Sequence, residues 1–163
     1  MAQAKPIPDG YHSVIPQLVF NDASKAIAFY KKAFGAKELD RMPGPGGKIW
    51  HAELEIGDSK FFLMDAMPGT PVSPPTSDRP SPSSVMLYVT NVDQTFKAAL
   101  AAGAKEIMAV QDTFWGDRGG SLIDPFGYPW FLATHVRDMT AEEQRRAGQE
   151  VLRKMESEQA RHA

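Results

Sequence analysis

Apolar and polar positions follow the same order twice along this chain. A run rich in β-branched and aromatic residues at 13–20 is followed by a short polar turn and by apolar residues at helical spacing over 23–34. The same succession recurs with an apolar run at 85–89 and a helical pattern at 92–102. Strand-like runs complete each copy. The pattern therefore predicts two βαβββ units in tandem.

The helix over 23–34 has clear boundaries in the sequence. Apolar residues recur at spacings of three and four between Ala26 and Phe34. Gly35 stands where a glycine in the left-handed conformation commonly ends a helix. Asp22 or Ser24 can accept a hydrogen bond from a free N–H group of the first turn, so both are candidate N-caps.

A short motif shows the repeat directly. Residues 35–39 read Gly-Ala-Lys-Glu-Leu, and residues 103–107 read Gly-Ala-Lys-Glu-Ile, 68 positions later. Other matched features of the two copies differ in position by 68 to 71 residues. The remaining strands are predicted at 37–42, 49–56, 61–65, 107–110, 121–123 and 130–134.

Two segments lie outside the repeat. Residues 67–83 hold six of the thirteen prolines and four serines, a composition that predicts an exposed linker or a mobile flap. Residues 140–163 begin with a capping-box pattern, Thr140 to Glu143, and contain five acidic and five basic residues. They predict a charged C-terminal helix, weakened near Gly148, with a narrow apolar stripe that could dock on the domain or on a partner subunit.

The predicted organisation is one domain at 11–139 and a helical tail at 140–163. The domain consists of units at 11–66 and 84–139, joined by the linker at 67–83. A chain of 163 residues is long enough to bury a core without disulfide bonds or a structural metal.

Composition and charge exclude several classes of function. The chain has no cysteine, which rules out thiol catalysis and thiolate metal sites. Eighteen basic against twenty acidic residues give a net charge of −2, which argues against a nucleic-acid binder with a basic face. No apolar run approaches the roughly 18 residues of a membrane helix, and the first ten residues lack the apolar core of a signal peptide. The sequence predicts a cytoplasmic protein that binds neither nucleic acid nor membrane.

Five local motifs occur in order along the two units. They are Pro16-Gln17-Leu18 through Asp22, Ala26 to Tyr30, His51 to Leu54, Phe114 to Arg118, and Asp124-Pro125-Phe126-Gly127 through His135. With the tandem βαβββ pattern, they resemble the vicinal oxygen chelate superfamily of glyoxalase I, bleomycin-resistance proteins and extradiol dioxygenases, and within it the PhnB-like branch. The resemblance implies an α+β fold in which two modules form a curved half-barrel sheet, with helices outside and a cavity inside. It also implies a homodimer.

The resemblance bears on metal binding as well. In the metal-dependent members, four ligands hold a divalent ion that chelates two neighbouring substrate oxygens. By resemblance, the four positions fall on Ile15, Glu53, Ser84 and Phe131. Only Glu53 is a suitable ligand, and a stable divalent site usually needs at least three. We therefore expect no metal and no other cofactor; a divalent metal bound by Glu53 and His51 is the alternative.

His51, Glu53 and Glu55 alternate along one predicted strand, so their side chains share one face. His51 and Glu53 are candidates for a general acid/base pair, because a carboxylate beside an imidazole favours its protonated form. The same two residues could instead form a two-ligand metal site, or simply hydrogen-bond each other or water. His12 and His135, near strand ends, could supplement a displaced metal site or lie on the surface.

Phe114, Trp115, Asp117 and Arg118 form the most unusual local cluster. An aromatic platform beside a guanidinium suits a planar or anionic ligand, through stacking and paired hydrogen bonds. The alternative is a hairpin in which Trp115 closes the barrel and Arg118 pairs with Asp117.

The leading functional hypothesis is a metal-independent small-molecule binding protein with a largely apolar cleft. The predicted ligand-binding residues are Gln17, His51, Glu53, Met86, Tyr88, Trp115, Arg118 and Phe131. The alternative is a metal-dependent lyase, isomerase or dioxygenase of the same superfamily, with His51 and Glu53 as catalytic residues. A third hypothesis is an interaction module, in which the tail helix and the proline-rich segment recruit another protein.

Overall fold

Each repeat folds into a four-stranded sheet with one helix across one of its faces. The computed structural model describes residues 4–69 and 71–162. The first unit contains β1 (Gln17–Phe20), α1 (Ala23–Phe34), β2 (Lys37–Pro43), β3 (Ile49–Ile56) and β4 (Ser59–Asp65). The second contains β5 (Val85–Tyr88), α2 (Val92–Ala101), β6 (Lys105–Asp112), β7 (Asp117–Ile123) and β8 (Pro129–His135). The C-terminal helix is α3 (Ala141–His162).

The two sheets have the same topology. Their strand orders are β1-β4-β3-β2 and β5-β8-β7-β6. In each sheet the first strand pairs in parallel with the last, and the other pairs are antiparallel. This confirms the predicted α+β fold of two βαβββ modules. Within the described residues no strand of one sheet pairs with a strand of the other, so the sheets remain separate.

The N-caps repeat between the units, since Asn91 caps α2 by accepting a hydrogen bond from the Gln94 amide at 3.0 Å, as Asp22 caps α1. Asp22 caps α1 by accepting a hydrogen bond from the Lys25 amide at 3.0 Å, and Gly35 ends that helix in the left-handed conformation. A second contact is conserved between the units: the Ala23 amide donates to Asp65 and the Val92 amide donates to Thr134, each at 2.9 Å. In both units the last strand therefore holds the first turn of the helix.

A single apolar core runs through both units. Helix α1 contacts α2, and the rings of α1 reach the second unit. The Tyr30 hydroxyl donates to Asp124 at 2.6 Å, and the Trp130 indole donates to the same carboxylate at 3.2 Å. The units are thus joined on the helix-covered sides of their sheets, and the opposite face of each sheet stays open.

A second bridge between the units involves one phenol. The Tyr128 hydroxyl donates to the Val19 carbonyl and accepts from the Val19 amide, both at 2.9 Å. Val19 lies in β1, and its backbone groups are thereby paired with a side chain of the other unit.

The proline-rich linker is docked against the second unit in its middle. Thr76 and Arg79 form a small backbone bridge, and the Ser81 amide donates to the Gly127 carbonyl at 2.8 Å. A Cβ atom on Gly127 would lie 2.5 Å from the Thr76 carbonyl oxygen. The linker therefore has a fixed contact on the β7–β8 turn, a detail that its composition did not indicate.

Helix α3 follows the predicted capping box. The Glu143 amide donates to the Thr140 hydroxyl at 3.2 Å, and the Thr140 amide donates to the Glu143 carboxylate at 2.7 Å. The helix continues through Gly148, where the Phe114 ring would lie 3.2 Å from an added Cβ atom. In the described part of the chain, no helix has both the length and the apolar character needed to cross a membrane.

Candidate functional site

The open face of the first sheet carries the predicted acidic residues. Along β3, Ala52, Leu54 and Ile56 are buried on the helix side. His51, Glu53 and Glu55 alternate with them and are half-buried on the open side, as predicted.

Glu53 is held by the N-terminal segment and by β4. The Tyr11 hydroxyl donates a hydrogen bond to Glu53, and the Lys60 ammonium lies 3.9 Å from the same carboxylate oxygen. Lys60 also lies 3.9 Å from the centre of the Tyr11 ring, a cation–π contact. The hydrogen bond to Glu53 raises the pKa of Tyr11 above its ordinary value. Sequence reasoning missed Tyr11 and Lys60, because neither belongs to a motif and only the fold brings them together.

His51 lies beside an aromatic ring rather than a carboxylate. Its imidazole packs edge-on against Phe62, with ring centres 4.7 Å apart. Among the described residues, no hydrogen bond joins His51 to Glu53. On the same face, the Gln17 amide contacts the Met64 sulfur at 2.9 Å. The predicted acid/base pair shares a face but is not coupled.

The strand register changes one equivalence that the resemblance suggested. Glu53 lies opposite Phe62 in the first sheet, and Ser121 lies opposite Phe131 in the second. Ser121 is therefore the counterpart of Glu53, and Phe131 is the counterpart of Phe62. The resemblance had matched Phe131 of β8 with Glu53 of β3. The register shows that Phe131 instead matches Phe62 of β4, the strand next to β3.

Few side chains at the expected ligand positions could coordinate a divalent metal ion. Ile15 and Phe131 have no coordinating atom, and Ser121 supplies only a hydroxyl. Within residues 4–69 and 71–162, no group of three or more His, Asp or Glu side chains could hold a metal ion. Such a site usually needs at least three protein ligands.

The open face of the second sheet is built around one buried carboxylate. Asp117, only 2% exposed, lies at the start of β7. One of its oxygens accepts hydrogen bonds from the Tyr88 hydroxyl and the Trp115 indole, each at 2.8 Å. Its other oxygen lies 2.7 Å from Nδ1 of His135. We call these four residues the Asp117 cluster.

The hydrogen bonds of this cluster shift three pKa values. Burial acts against the ionised form of Asp117, but the bonds from His135, Tyr88 and Trp115 outweigh it and lower the pKa of this carboxyl. The bond to Asp117 raises the pKa of Tyr88. It also raises the pKa of His135, with a further contribution from Asp138. The result is a stable carboxylate beside a readily protonated imidazole.

Aromatic rings cover the sheet next to this cluster. The Trp115 and Phe131 rings lie 5.9 Å apart between centres. Phe131 lies directly over Gly119, where an added Cβ atom would come within 2.8 Å of the ring. Tyr88 and Met86 are 57% and 49% exposed on the neighbouring strand. This face therefore combines an aromatic surface with fixed polar groups.

Arg118 lies on the other face of β7. Side chains alternate along a strand, so residue 118 faces away from residue 117. The Arg118 guanidinium pairs with Asp93 of α2 at 2.8 Å and with Asp112 at 3.0 Å. It contacts neither Trp115 nor Asp117, so the predicted aromatic platform forms without the predicted guanidinium.

A cleft of about 420 Å³ adjoins both open faces. It lies between the segment before β1, the β3–β4 hairpin and β5. Ile15, Leu18 and Trp130 form apolar walls, and Met86 and Tyr88 border it from the second unit. Tyr88 therefore connects the cleft to the Asp117 cluster.

The chain belongs to the Glyoxalase/Bleomycin resistance protein/Dioxygenase superfamily, whose family model matches residues 12–132. It is 46% identical over 131 residues to an uncharacterised protein of Mycobacterium tuberculosis strain H37Rv, covering 78% of this chain and 77% of that protein. The crystal structure of TioX from Micromonospora is 27% identical, with a TM-score of 0.60, and the match covers 79% of this chain and all of that one. A Bacillus cereus protein named as a PhnB protein shares the fold at 19% identity and a TM-score of 0.60, over 76% of this chain and 99% of that one.

Proposed function

We propose that this chain is a small-molecule binding protein that holds a flat ligand on the open face of the second sheet, without a metal ion. The arrangement of Tyr88, Trp115 and Phe131 carries this proposal. Three aromatic side chains meet on one face, and two of them are tied to one buried carboxylate.

The rings are fixed before any ligand arrives. The Tyr88 hydroxyl and the Trp115 indole both donate to Asp117, so their orientations are set by the protein. A preorganised aromatic surface loses little conformational entropy on binding, and stacked rings gain contact area. A ligand with a planar apolar body fits these properties best.

The proposal that binding needs no metal ion rests on which side chains could act as metal ligands. Ile15, Ser84 and Phe131 stand at three of the four ligand positions that the family resemblance implies, and the fourth, Glu53, is engaged by Tyr11 and Lys60. The PhnB-like assignment, the cytoplasmic location and the homodimer belong to the same proposal. Large exposed apolar side chains on the sheets, such as Leu39 at 43% and Ile107 at 58%, favour a dimer. Sedimentation equilibrium should give twice the mass of one chain.

The binding test compares two tryptophan variants with a neutral flat probe, 2-naphthamide, by isothermal titration calorimetry. We expect Trp115→Ala to weaken binding about tenfold, which corresponds to roughly 1.4 kcal/mol of lost stacking and packing. Trp50→Ala is the matched control, because Trp50 is an exposed tryptophan outside the Asp117 cluster. Equal losses in the two variants, or no binding of the probe, would refute the placement of the site.

A second arm tests the role of metal. We expect the dissociation constant for 2-naphthamide to stay the same after dialysis against EDTA and in Glu53→Gln. Binding that disappears with EDTA and returns with Zn²⁺ or Mn²⁺ would instead establish the metal-dependent alternative.

One observation favours a second candidate, an enzyme that uses the first open face. The Glu53 side chain is 12% exposed and lies between two proton donors, Tyr11 and Lys60. A nearly enclosed carboxylate with such neighbours suits general acid/base chemistry. If metal-supplemented assays of vicinal-oxygen substrates show a turnover, His51→Ala and Glu53→Gln should abolish it in folded protein.

A further inference from the structure

We infer that His135 is an anion-binding group, and that the ligand of the proposed site is an organic anion whose carboxylate replaces the side chain of Asp138. This inference rests on the proposed function, because it specifies the charge of the ligand bound at that site. The sequence had placed a cation there in the form of Arg118. The structure provides an imidazole instead.

His135 faces a carboxylate at each ring nitrogen. Nδ1 lies 2.7 Å from Asp117, and Nε2 lies 3.0 Å from Asp138. An ionised carboxylate only accepts hydrogen bonds, so with both carboxylates ionised each ring nitrogen donates, which is the arrangement of a protonated imidazole. The raised pKa of His135, caused by the same two partners, agrees with this geometry.

The two carboxylates differ in how firmly they are held. Asp117 is buried and fixed by three donors. The Asp138 side chain is fully exposed, and among the described residues its carboxylate contacts only His135. Exposed ion pairs of this kind contribute little to stability. A ligand carboxylate can therefore displace Asp138, whereas Asp117 stays in place and orients the ring.

His135 is also placed to act together with the aromatic surface. It lies opposite Asp117 in the β7–β8 pair and shares that carboxylate with Tyr88 and Trp115. Along β8, residue 135 lies on the same face as Phe131. The polar atoms of Tyr88 and Trp115 are used by Asp117, whereas the half-exposed imidazole of His135 carries a charge-bearing group on this surface that can anchor a ligand.

The charges around the site favour the exchange. Arg137 follows two residues after His135, and its guanidinium contacts the sulfur of Met139 at 3.1 Å. Within the part of the chain that the structure describes, no carboxylate lies within ion-pairing distance of Arg137. Glu143 acts on Arg137 only through a longer-range electrostatic interaction. When Asp138 is displaced, the His135 imidazole keeps its buried carboxylate partner and loses its exposed one, and a monoanionic ligand takes that place.

The experiment compares two probes of the same shape, 2-naphthoate and neutral 2-naphthamide, by isothermal titration calorimetry on the full chain. We expect wild type to prefer the anion. Asp138→Asn removes the internal competitor without a change of size, so it should tighten 2-naphthoate binding about two- to fivefold, the range expected for an exposed ion pair. It should leave 2-naphthamide binding unchanged.

Two further variants complete the design. Glu142→Gln, an exposed acid in the first turn of α3, is the matched control and should not change the preference between the probes. His135→Gln should abolish the preference for the anion while it retains binding of 2-naphthamide. Asp138→Asn lies on the surface and should fold normally, so it decides the question even if His135→Gln destabilises the cluster.

The outcomes separate this inference from the proposal on which it rests. If 2-naphthamide binds and 2-naphthoate binds no better, or Asp138→Asn acts no differently from Glu142→Gln, the anion site is refuted and the small-molecule site stands. If neither probe binds, both are refuted. A gain for 2-naphthoate alone in Asp138→Asn supports both.

Discussion

Asp117 and Asp124 are buried aspartates of the same unit, and their surroundings shift their pKa values in opposite directions. At Asp124, burial outweighs the donors Tyr30 and Trp130 and raises the pKa of the carboxyl. At Asp117, burial acts in the same direction, but the donors include the His135 imidazole and the pKa falls. Asp117 has a partner that can carry a positive charge, whereas the donors named for Asp124 are neutral. Asp117 can therefore orient a charged group, and Asp124 has a structural role.

The raised pKa of His135 has a measurable consequence for stability. The folded state favours the protonated imidazole, so its contribution is complete below the ordinary His pKa of 6.5 and is lost as pH rises through the folded-state pKa. We expect the difference in free energy of unfolding between wild type and His135→Gln to be larger at about pH 5.5 than at about pH 8.5. Urea denaturation at both pH values measures it.

This difference in free energy isolates His135, because the other histidines are present in both proteins and their contributions cancel. A difference that stays constant, or that grows with pH, would contradict the ion pairs of His135.

Single residues of the site were only partly predictable. Tyr88, Trp115 and Phe131 were expected on the ligand-binding face, and the structure brings them together. Arg118 was expected beside Trp115 on the ligand-binding face, and it lay outside the predicted strand, which began at 121. Because β7 begins at Asp117, the alternation of side chains along this strand places residue 118 on the helix-covered side of the sheet. An error of a few residues in a strand boundary therefore moved one side chain to the wrong face.

At the scale of elements, two glycines explain that boundary. Gly119 and Gly120 lie inside β7, although glycine is a poor strand former. An added Cβ atom at Gly119 would meet the Phe131 ring at 2.8 Å, and one at Gly120 would meet the Phe96 ring at 3.0 Å. Rings and backbone atoms of the neighbouring strands approach both positions too closely for a side chain. A pattern based on side-chain hydrophobicity has no signal for such a strand.

The docked linker provides a test at the same scale. Gly127 and Gly57 both have positive φ, at 94° and 61°. An added Cβ atom at Gly127 would lie 2.5 Å from the Thr76 carbonyl oxygen, whereas one at Gly57 would meet no atom within 4 Å. We expect Gly57→Ala to lower the free energy of unfolding by about 1 kcal/mol, from strain alone. Gly127→Ala should lower it by more than about 2 kcal/mol, because the Thr76 backbone must also move.

Limited proteolysis distinguishes the cause of that loss. In Gly127→Ala the segment 71–83 should become more sensitive to cleavage, while in Gly57→Ala it should keep the sensitivity of wild type. Equal stability losses and equal cleavage would show that the linker does not depend on this contact.

At the scale of the whole molecule, the repeat could be predicted and the packing of its copies could not. The matched motifs at 35–39 and 103–107 are sufficient to indicate two units. The contacts that join them come from ordinary core residues, such as Tyr30 and Trp130, which the pattern assigns to the core of one unit each. Periodicity shows that a residue is buried but not which element covers it.

The Tyr30–Asp124 hydrogen bond is one of the contacts that join the two units. We expect Tyr30→Phe to lower the free energy of unfolding by about 1–3 kcal/mol, because a buried carboxyl loses a donor at 2.6 Å. Tyr11→Phe, which removes the same hydroxyl from a more exposed tyrosine, should have a smaller effect. Chemical denaturation followed by Trp fluorescence measures both; equal losses would contradict a special role for the joint.

The Tyr128 hydroxyl has a consequence for the behaviour of the chain in concentrated solution. By pairing with both backbone groups of Val19, it occupies part of the outer edge of β1, a strand only four residues long. Unpaired strand edges recruit other chains and start aggregation. The phenolic oxygen thus occupies backbone groups through which another chain could extend the first sheet.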